Sequence, residues 1–166
     1  SMNSGIPANQ LLYSRLDQYQ FERLDQSISG LCNSHILFDD RSTSNIDLII
    51  SSIRSMVLKY QIDGVVIDYL QILNVNMKGS NKEQQMADVA RRLKNLAKEL
   101  DIWIIALSQL NRDFNNPVPN LNRLRDSGQI AEAADIVMFV YRPEYYGKPF
   151  PEPFQNHQTE GYAMVD

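Results

Sequence analysis

An uninterrupted apolar run that ends in a carboxylate constrains the fold of this chain more than any other feature. Residues 65–67 are all β-branched, and Asp68 follows them directly. Such a run is typical of a strand that is covered on both faces of a parallel sheet. Because an ionised carboxylate is rarely buried without a partner, we expect Asp68 at the carboxyl edge of that sheet, where α/β proteins bind ligands.

Two interpretations of Asp68 are open at this point. A carboxylate at the end of a strand is where nucleoside triphosphatases of the P-loop class hold magnesium. The alternative is that the same residue caps the following loop or pairs with a nearby arginine, and the run alone does not separate the two.

Helical periodicity is clearest in two segments of the chain. Apolar residues recur every three or four positions over residues 46–60 and again over residues 86–100, which predicts two amphipathic helices. Ser44 resembles an N-cap of the first helix. Ser80 with Glu83 fits a capping box at the start of the second.

Continuous apolar runs at residues 102–107 and 136–141 predict two further buried strands, the second of which opens at Asp135 and spans 135–141. Strands that alternate with helices predict an α/β fold with a mainly parallel sheet and right-handed crossovers. Shorter patterns predict further elements, which are helices at 8–20, 21–31 and 127–134 and a strand at 35–39.

Composition excludes several classes of protein. A length of 166 residues with 43% hydrophobic and 22% charged residues is typical of one globular domain, here residues 1–166. No apolar stretch approaches the roughly 20 residues that span a bilayer. Cys32 is the single cysteine, which excludes an intrachain disulfide and favours the reducing cytoplasm. The net charge of −4 gives no general attraction for nucleic acid, so such a contact must be local.

Gln109 follows the strand predicted at residues 102–107 much as Asp68 follows its own strand. If the two strands are neighbours, both side chains face one crevice. A neutral amide there orients a water or contacts a terminal phosphate, as a glutamine does in several P-loop GTPases. The alternative is a loop amide that is hydrogen-bonded to backbone.

Residues 124–128 combine a cation, a hydroxyl and a glycine at the start of a predicted helix. Exposed backbone N–H groups at such a position form a site for an oxyanion or a phosphate. The alternative is a plain helix cap. His35 and His157 have no partners at metal-ligand spacing, so no zinc site is predicted.

The phosphate-binding loop of P-loop proteins is absent from this sequence. That loop requires Gly, four residues, then Gly-Lys followed by Ser or Thr. None of the seven glycines starts this pattern, and the only local similarity, Gly147-Lys148, is followed by Pro149.

Three collinear segments resemble the C-terminal motor domain of bacterial replicative DNA helicases of the DnaB type. They are residues 65–71, 106–112 and 124–130, and the helix predicted at 86–100 resembles the one between the first two. The resemblance runs from residue 2 to residue 146.

This resemblance implies a RecA-like three-layer α/β/α fold with a mainly parallel sheet, truncated at both ends. It implies a ring of six copies around single-stranded DNA, driven by ATP and Mg2+, with primase and a helicase loader as further partners. Asp68 matches the magnesium-site carboxylate, acting through water, and Gln109 matches the catalytic residue that couples the terminal phosphate to the DNA loops. The residues that match the DNA-gripping loop are Arg125, Asp126 and Gly128, with Asp126 standing where Glu is usual.

A further expectation is that this chain is a piece of the motor that does not hydrolyse ATP by itself. The resemblance implies that the P-loop lies upstream of residue 1. It implies that Ser1 stands at the position of the catalytic Glu. It also implies that the trans-acting Lys and the arginine finger lie beyond Asp166. An arginine finger alone contributes a factor of about 10³–10⁵. We also expect weak DNA binding outside the ring and uncovered apolar surface.

Two other functions stay open from the residues alone. One is a different RecA-like ATPase, of the recombinase or clock type. The other is a scaffold module without catalysis.

Overall fold

Two neighbouring parallel strands, β1 (Gly64–Ile67) and β2 (Trp103–Ala106), carry the predicted site in the computed structural model of this chain. Contacts divide the chain into two compact units, Ser1–Arg41 and Ser42–Asp166, and the second contains both strands. The structure describes residues 4–32, 34–75, 81–111, 113, 116–121, 123 and 128–166.

The first unit contains two helices, α1 (Ala8–Tyr13) and α2 (Gln18–Cys32). The predicted helix over 8–20 is divided because Asp17 and Gln20 form a reciprocal cap at the start of α2. The Asp17 carboxylate accepts from the Gln20 N–H at 2.8 Å, and the Gln20 amide oxygen accepts from the Asp17 N–H at 3.2 Å. The strand predicted at 35–39 is wrong, since the backbone there pairs with no described strand.

In the second unit, β1 and β2 pair in register, with Gly64 beside Trp103 and Ile67 beside Ala106. The ladder continues past both strands, because the Leu107 N–H donates to the Ile67 carbonyl at 2.9 Å. Gly64 is required by this pairing: a Cβ there would lie 2.0 Å from the Trp103 ring. The predicted parallel orientation is therefore confirmed, and the condition that these two strands are neighbours is met.

Two long helices follow the predicted segments, α3 (Ile46–Tyr60) and α4 (Lys82–Leu100). Both predicted caps are displaced by one residue. Asn45, rather than Ser44, caps α3 by accepting from the Asp47 N–H at 2.8 Å. Asn81 caps α4 in a capping box with Gln84, whereas the predicted Ser80 lies outside the described residues. Asparagine is as good a cap acceptor as serine, so adjacent candidates compete.

The hydrophobic core lies between α3, α4 and one face of the two strands. A 3-10 helix, Leu70–Ile72, follows β1 and contributes Leu70, which is 2% exposed. Val65 and Ile104 pack against this core from the strands, and Ile102 does so from the position just before β2. Its buried members are Ile46, Ile50, Ile53, Ile67, Leu70, Leu73, Met86, Val89, Leu93 and Leu96.

The opposite face of the strand pair is not covered by the described residues of the second unit. Val66 is 58% exposed, Trp103 53% and Ile105 43%. The prediction that β1 is covered on both faces is therefore wrong here, because helices pack on one side only. The exposed face agrees instead with the expectation of uncovered apolar surface.

The third strand predicted for the parallel sheet is also wrong. Only β3 (Val140–Tyr141) forms within residues 135–141, and it pairs antiparallel with β4 (Met164–Val165). Ile136 is 77% exposed, so its apolar character did not indicate burial. Among the described residues the parallel sheet thus has two strands, and β3 and β4 form a separate pair.

The remaining described elements are short. Helix α5 (Gly128–Ala133) lies within the helix predicted at 127–134 and packs against α4. Another 3-10 helix, Pro143–Tyr146, follows β3. None of the described helices has both the length and the apolar character needed to cross a membrane.

Candidate functional site

The carboxyl edge of the β1–β2 pair holds two of the residues that the sequence singled out. Asp68 directly follows β1 and is exposed, and Gln109 follows β2 after two residues and is also exposed. Because the strands are parallel and adjacent, both residues leave the sheet at the same edge. The predicted shared edge is therefore present, while the roles of the two side chains remain predictions.

The side chain of Gln71 joins the segment after β1 to the segment after β2. Its amide nitrogen donates to the Ser108 hydroxyl at 2.9 Å and to the Gln109 carbonyl at 3.1 Å. Its amide oxygen accepts from the Gln109 N–H at 3.3 Å. A single side chain thus bonds both backbone groups of Gln109.

Gln71 was missed as a functional candidate at the sequence level. The only signal was its place inside residues 65–71, one of the segments that carry the resemblance. Its bonds join residues 37 and 38 positions apart, which no local pattern reports.

An open cleft of about 680 Å³ lies beside these bonds. Gln71 and Gln109 belong to its wall, and Asp68 does not. Its lining also includes Tyr69, Asn81, Lys82, Glu83, Met86, Leu110, Asn111 and Arg123. The structure therefore places the two amides in one cleft, with the carboxylate at the same sheet edge but outside its wall.

Arg123 bonds two backbone carbonyls of the segment that follows β2. Its Nε donates to the Asn111 carbonyl at 3.1 Å, and its Nη1 donates to the Pro117 carbonyl at 2.8 Å. The guanidinium therefore ties two distant points of this loop together beside the cleft. No sequence pattern predicted this role, because every residue type has a backbone carbonyl that can accept a hydrogen bond.

The predicted DNA-gripping turn is described only at its end. Arg125 and Asp126 lie outside the described residues, and Gly128 begins α5. Just beyond α5, Asp135 forms an ion pair with Lys94 of α4. The hydrogen bond from Lys94 lowers the pKa of the Asp135 carboxyl. The segment just after α5 is therefore joined to α4 by this ion pair.

The carboxylate of Asp68 at this sheet edge fits a magnesium site to which a bound nucleotide contributes ligands. Within the residues that the structure describes, no group of three or more His, Cys, Asp or Glu side chains could hold a metal ion. Mg²⁺ typically uses one or two carboxylates together with substrate phosphates and water. The exposed carboxylate of Asp68 fits that mode of binding, in which the nucleotide supplies most of the oxygen ligands.

Comparison with known proteins gives consistent matches over almost the whole chain. The family model described as the DnaB-like helicase C terminal domain matches residues 1–163. The replicative DNA helicase DnaB of Rickettsia bellii is 36% identical over 167 residues, covering 98% of this chain and 34% of that protein. A probable plasmid replicative DNA helicase of Chlamydia trachomatis is 37% identical over 144 residues, covering 85% of this chain and 32% of that protein.

A solved structure of a DnaB-like replicative helicase, described with its interactions with primase, superposes with a TM-score of 0.79 at 30% identity. The match covers 98% of this chain and 42% of that one. The chain spans about a third of the length of the curated relatives it matches.

Proposed function

This chain belongs to the family of DnaB-like helicase C-terminal domains, and from that premise we propose that the protein containing it is a replicative DNA helicase. Its α/β fold is that of RecA-like helicase ATPase domains. In this proposal the motor couples ATP hydrolysis to movement on single-stranded DNA and to duplex unwinding. The observation that carries it is the adjacency of β1 and β2, which brings Asp68 and Gln109 to one edge.

Asp68 is proposed to hold the Mg²⁺ of bound ATP, through water, at the end of β1. The Mg²⁺–ATP complex supplies the phosphoryl group and the positive charge that stabilises its transfer. An exposed carboxylate at the carboxyl edge supports this role, since it reaches a ligand without being buried unpaired.

Gln109 is proposed to contact the terminal phosphate and to transmit its presence toward DNA. A neutral amide suits this task because it donates to a phosphate oxygen or to a water without adding charge. Its place in the wall of the cleft supports the role, because Asn111 and Arg123, which are hydrogen-bonded to each other, line the same cleft.

Arg125, Asp126 and Gly128 are proposed to contact DNA phosphates. Arginine binds phosphate through several donors of fixed geometry, and such contacts carry no base preference. The ion pair between Lys94 and Asp135 joins the chain just beyond α5 to α4.

The cofactors and partners follow the same proposal. ATP and Mg²⁺ are the proposed cofactors, and single-stranded DNA and five further copies of the protein are the proposed partners. Primase is a proposed partner because the solved helicase that this chain resembles is described with primase. A helicase loader is a further proposed partner, and the cytoplasm is the proposed location of the protein.

The 166 residues by themselves are proposed to be inactive in ATP hydrolysis, because their sequence contains no phosphate-binding loop pattern. We further propose that residues 1–166 are part of one helicase domain, since a single family model spans both compact units. The relatives named as replicative helicases favour this function over a recombinase-like ATPase, a clock-type ATPase or a scaffold.

Asp68→Asn in the complete protein tests the proposed function. Because the neutral amide holds Mg²⁺ less strongly, we expect DNA-stimulated ATP hydrolysis and unwinding to fall roughly a hundredfold or more. Asp40→Asn, the same change at an exposed residue of the first unit, is the matched control and should keep both activities. Normal unwinding by the Asp68→Asn protein would contradict the proposal.

A further inference from the structure

The bonds of Gln71 form a clasp on the backbone of Gln109. One side-chain amide donates to the Gln109 carbonyl at 3.1 Å and accepts from the Gln109 N–H at 3.3 Å. A third bond, to the Ser108 hydroxyl at 2.9 Å, fixes the residue before it. Two bonds to one residue restrict its backbone rotation more than a single bond does, so the clasp limits the directions that the Gln109 side chain can take.

The base of this clasp is anchored in the hydrophobic core. Gln71 lies inside the 3-10 helix Leu70–Ile72, whose first residue is 2% exposed in the core. Leu73, just after it, is 4% exposed. The Leu70 N–H also donates to the Leu107 carbonyl at 2.9 Å, which joins the same two segments through backbone. Gln71 is therefore held in place on both sides by buried leucines.

We propose that Gln71 is a positioning residue that aims Gln109 into the cleft and links its position to that of Asp68. Asp68 precedes Gln71 by three residues, so a displacement of the segment after β1 is passed to Gln109 by side-chain bonds as well as by the strand ladder. The purpose assigned to this link rests on the proposed function, since Gln109 is proposed there to contact the terminal phosphate.

Two substitutions separate hydrogen bonding from packing. Gln71→Met keeps the length of the side chain and removes its amide donor and acceptor. Gln71→Glu keeps an acceptor for the Gln109 N–H but places a carboxylate against the Gln109 carbonyl. Gln155→Met, at an exposed residue between β3 and β4, is the matched control.

Amide hydrogen exchange in the 166-residue chain, followed by NMR, tests the clasp without nucleotide. In Gln71→Met the Gln109 N–H should exchange about tenfold faster, as expected for the loss of a hydrogen bond. The amides inside β1 and β2 and those of the Gln155→Met chain should exchange as in the unmodified chain. Unchanged exchange of Gln109 in the folded Gln71→Met chain, which lacks the acceptor that Gln71→Glu keeps, would overturn the inference.

A double-mutant cycle in the complete protein tests the positioning role. Gln71→Met should lower the DNA-stimulated kcat by about ten- to a hundredfold, as misplacement of a reacting group does, and should change KM for ATP by less than about twofold. In a Gln109→Ala background the same change should cost nothing more, because both act through one group. Independent, additive losses would overturn the inference.

The two proposals fail in different ways. If Gln109→Ala leaves ATP hydrolysis unaffected while exchange at Gln109 responds to Gln71→Met, the proposed role of Gln109 fails and the clasp stands. If amide exchange at Gln109 is unchanged by Gln71→Met, the proposed clasp is wrong, whatever the role of Gln109 in ATP hydrolysis.

Discussion

The two faces of the β1–β2 pair have similar apolar composition and opposite environments. Ile67 is buried in the core with α3 and α4, whereas Val66, its neighbour in the chain, is 58% exposed on the other face. Hydrophobic stabilisation follows the area removed from water rather than the residue type. Adjacent β-branched residues of one strand should therefore differ strongly in what they contribute to stability.

Truncating one residue on each face gives the largest expected effect. Ile67→Ala leaves a cavity against the helices and should lower the free energy of unfolding by about 2–5 kcal/mol. Val66→Ala removes a largely hydrated side chain and should change it by about 0.5 kcal/mol. Urea denaturation of both variants measures the difference. Equal losses would break the comparison, because they would mean that the second face is covered in solution.

Gly64→Ala tests how tightly the less covered face is packed at one point. The added Cβ would lie 2.0 Å from the Trp103 ring, so the strands or the indole must shift. We expect a loss of about 1–3 kcal/mol in the free energy of unfolding, typical of overpacking. Combining it with Trp103→Ala should cost less than the sum of the two single changes. Additive losses in denaturation would show that the indole does not cause the strain.

The ion pair between the two covering helices gives the smallest expected effect, and it depends on pH. Arg54 bonds Glu99 through two nitrogens, at 3.1 and 2.7 Å. The hydrogen bond from Arg54 lowers the pKa of Glu99 below its ordinary value of 4.5. A lowered pKa in the folded state stabilises the fold above the unfolded value, and the gain is lost as pH falls through the folded value.

Thermal unfolding of Arg54→Met between neutral pH and pH below 4.5 checks this expectation. The variant should lose a little stability at neutral pH and should approach the unmodified chain in acid. Since both side chains are about half exposed, solvent screens the pair and the shift in Tm should be small. Arg91→Met, which removes a pair within α4 alone, is the control. A difference between variant and parent that grows in acid would contradict the assigned sign.

Much of the second unit was predictable because its signals are local. The spacing of apolar residues predicted α3 and α4, and the carboxylate after β1 predicted the edge at which Asp68 lies. The alternation of strands and helices predicted that β1 and β2 are parallel, and the structure adds that they are neighbours.

The errors have a common physical origin. An apolar run indicates that a segment can be buried, but it does not indicate which strand the segment pairs with. Within residues 135–141, β3 pairs with β4 and not with the parallel strands. Two adjacent cap-forming residues, as at Ser44 and Asn45, differ too little in energy for the sequence to choose. The clasp of Gln71 depends on two segments meeting in space, so tertiary structure alone reveals it.

The close approach of Gly64 and Trp103 has a spectroscopic consequence. Trp103 is the only tryptophan of the chain, and its indole lies over the backbone where the parallel strands begin. Its fluorescence therefore reports on this strand junction without any label. Because Trp103 is 53% exposed, an added quencher would distinguish an uncovered junction from one that a bound neighbour shields.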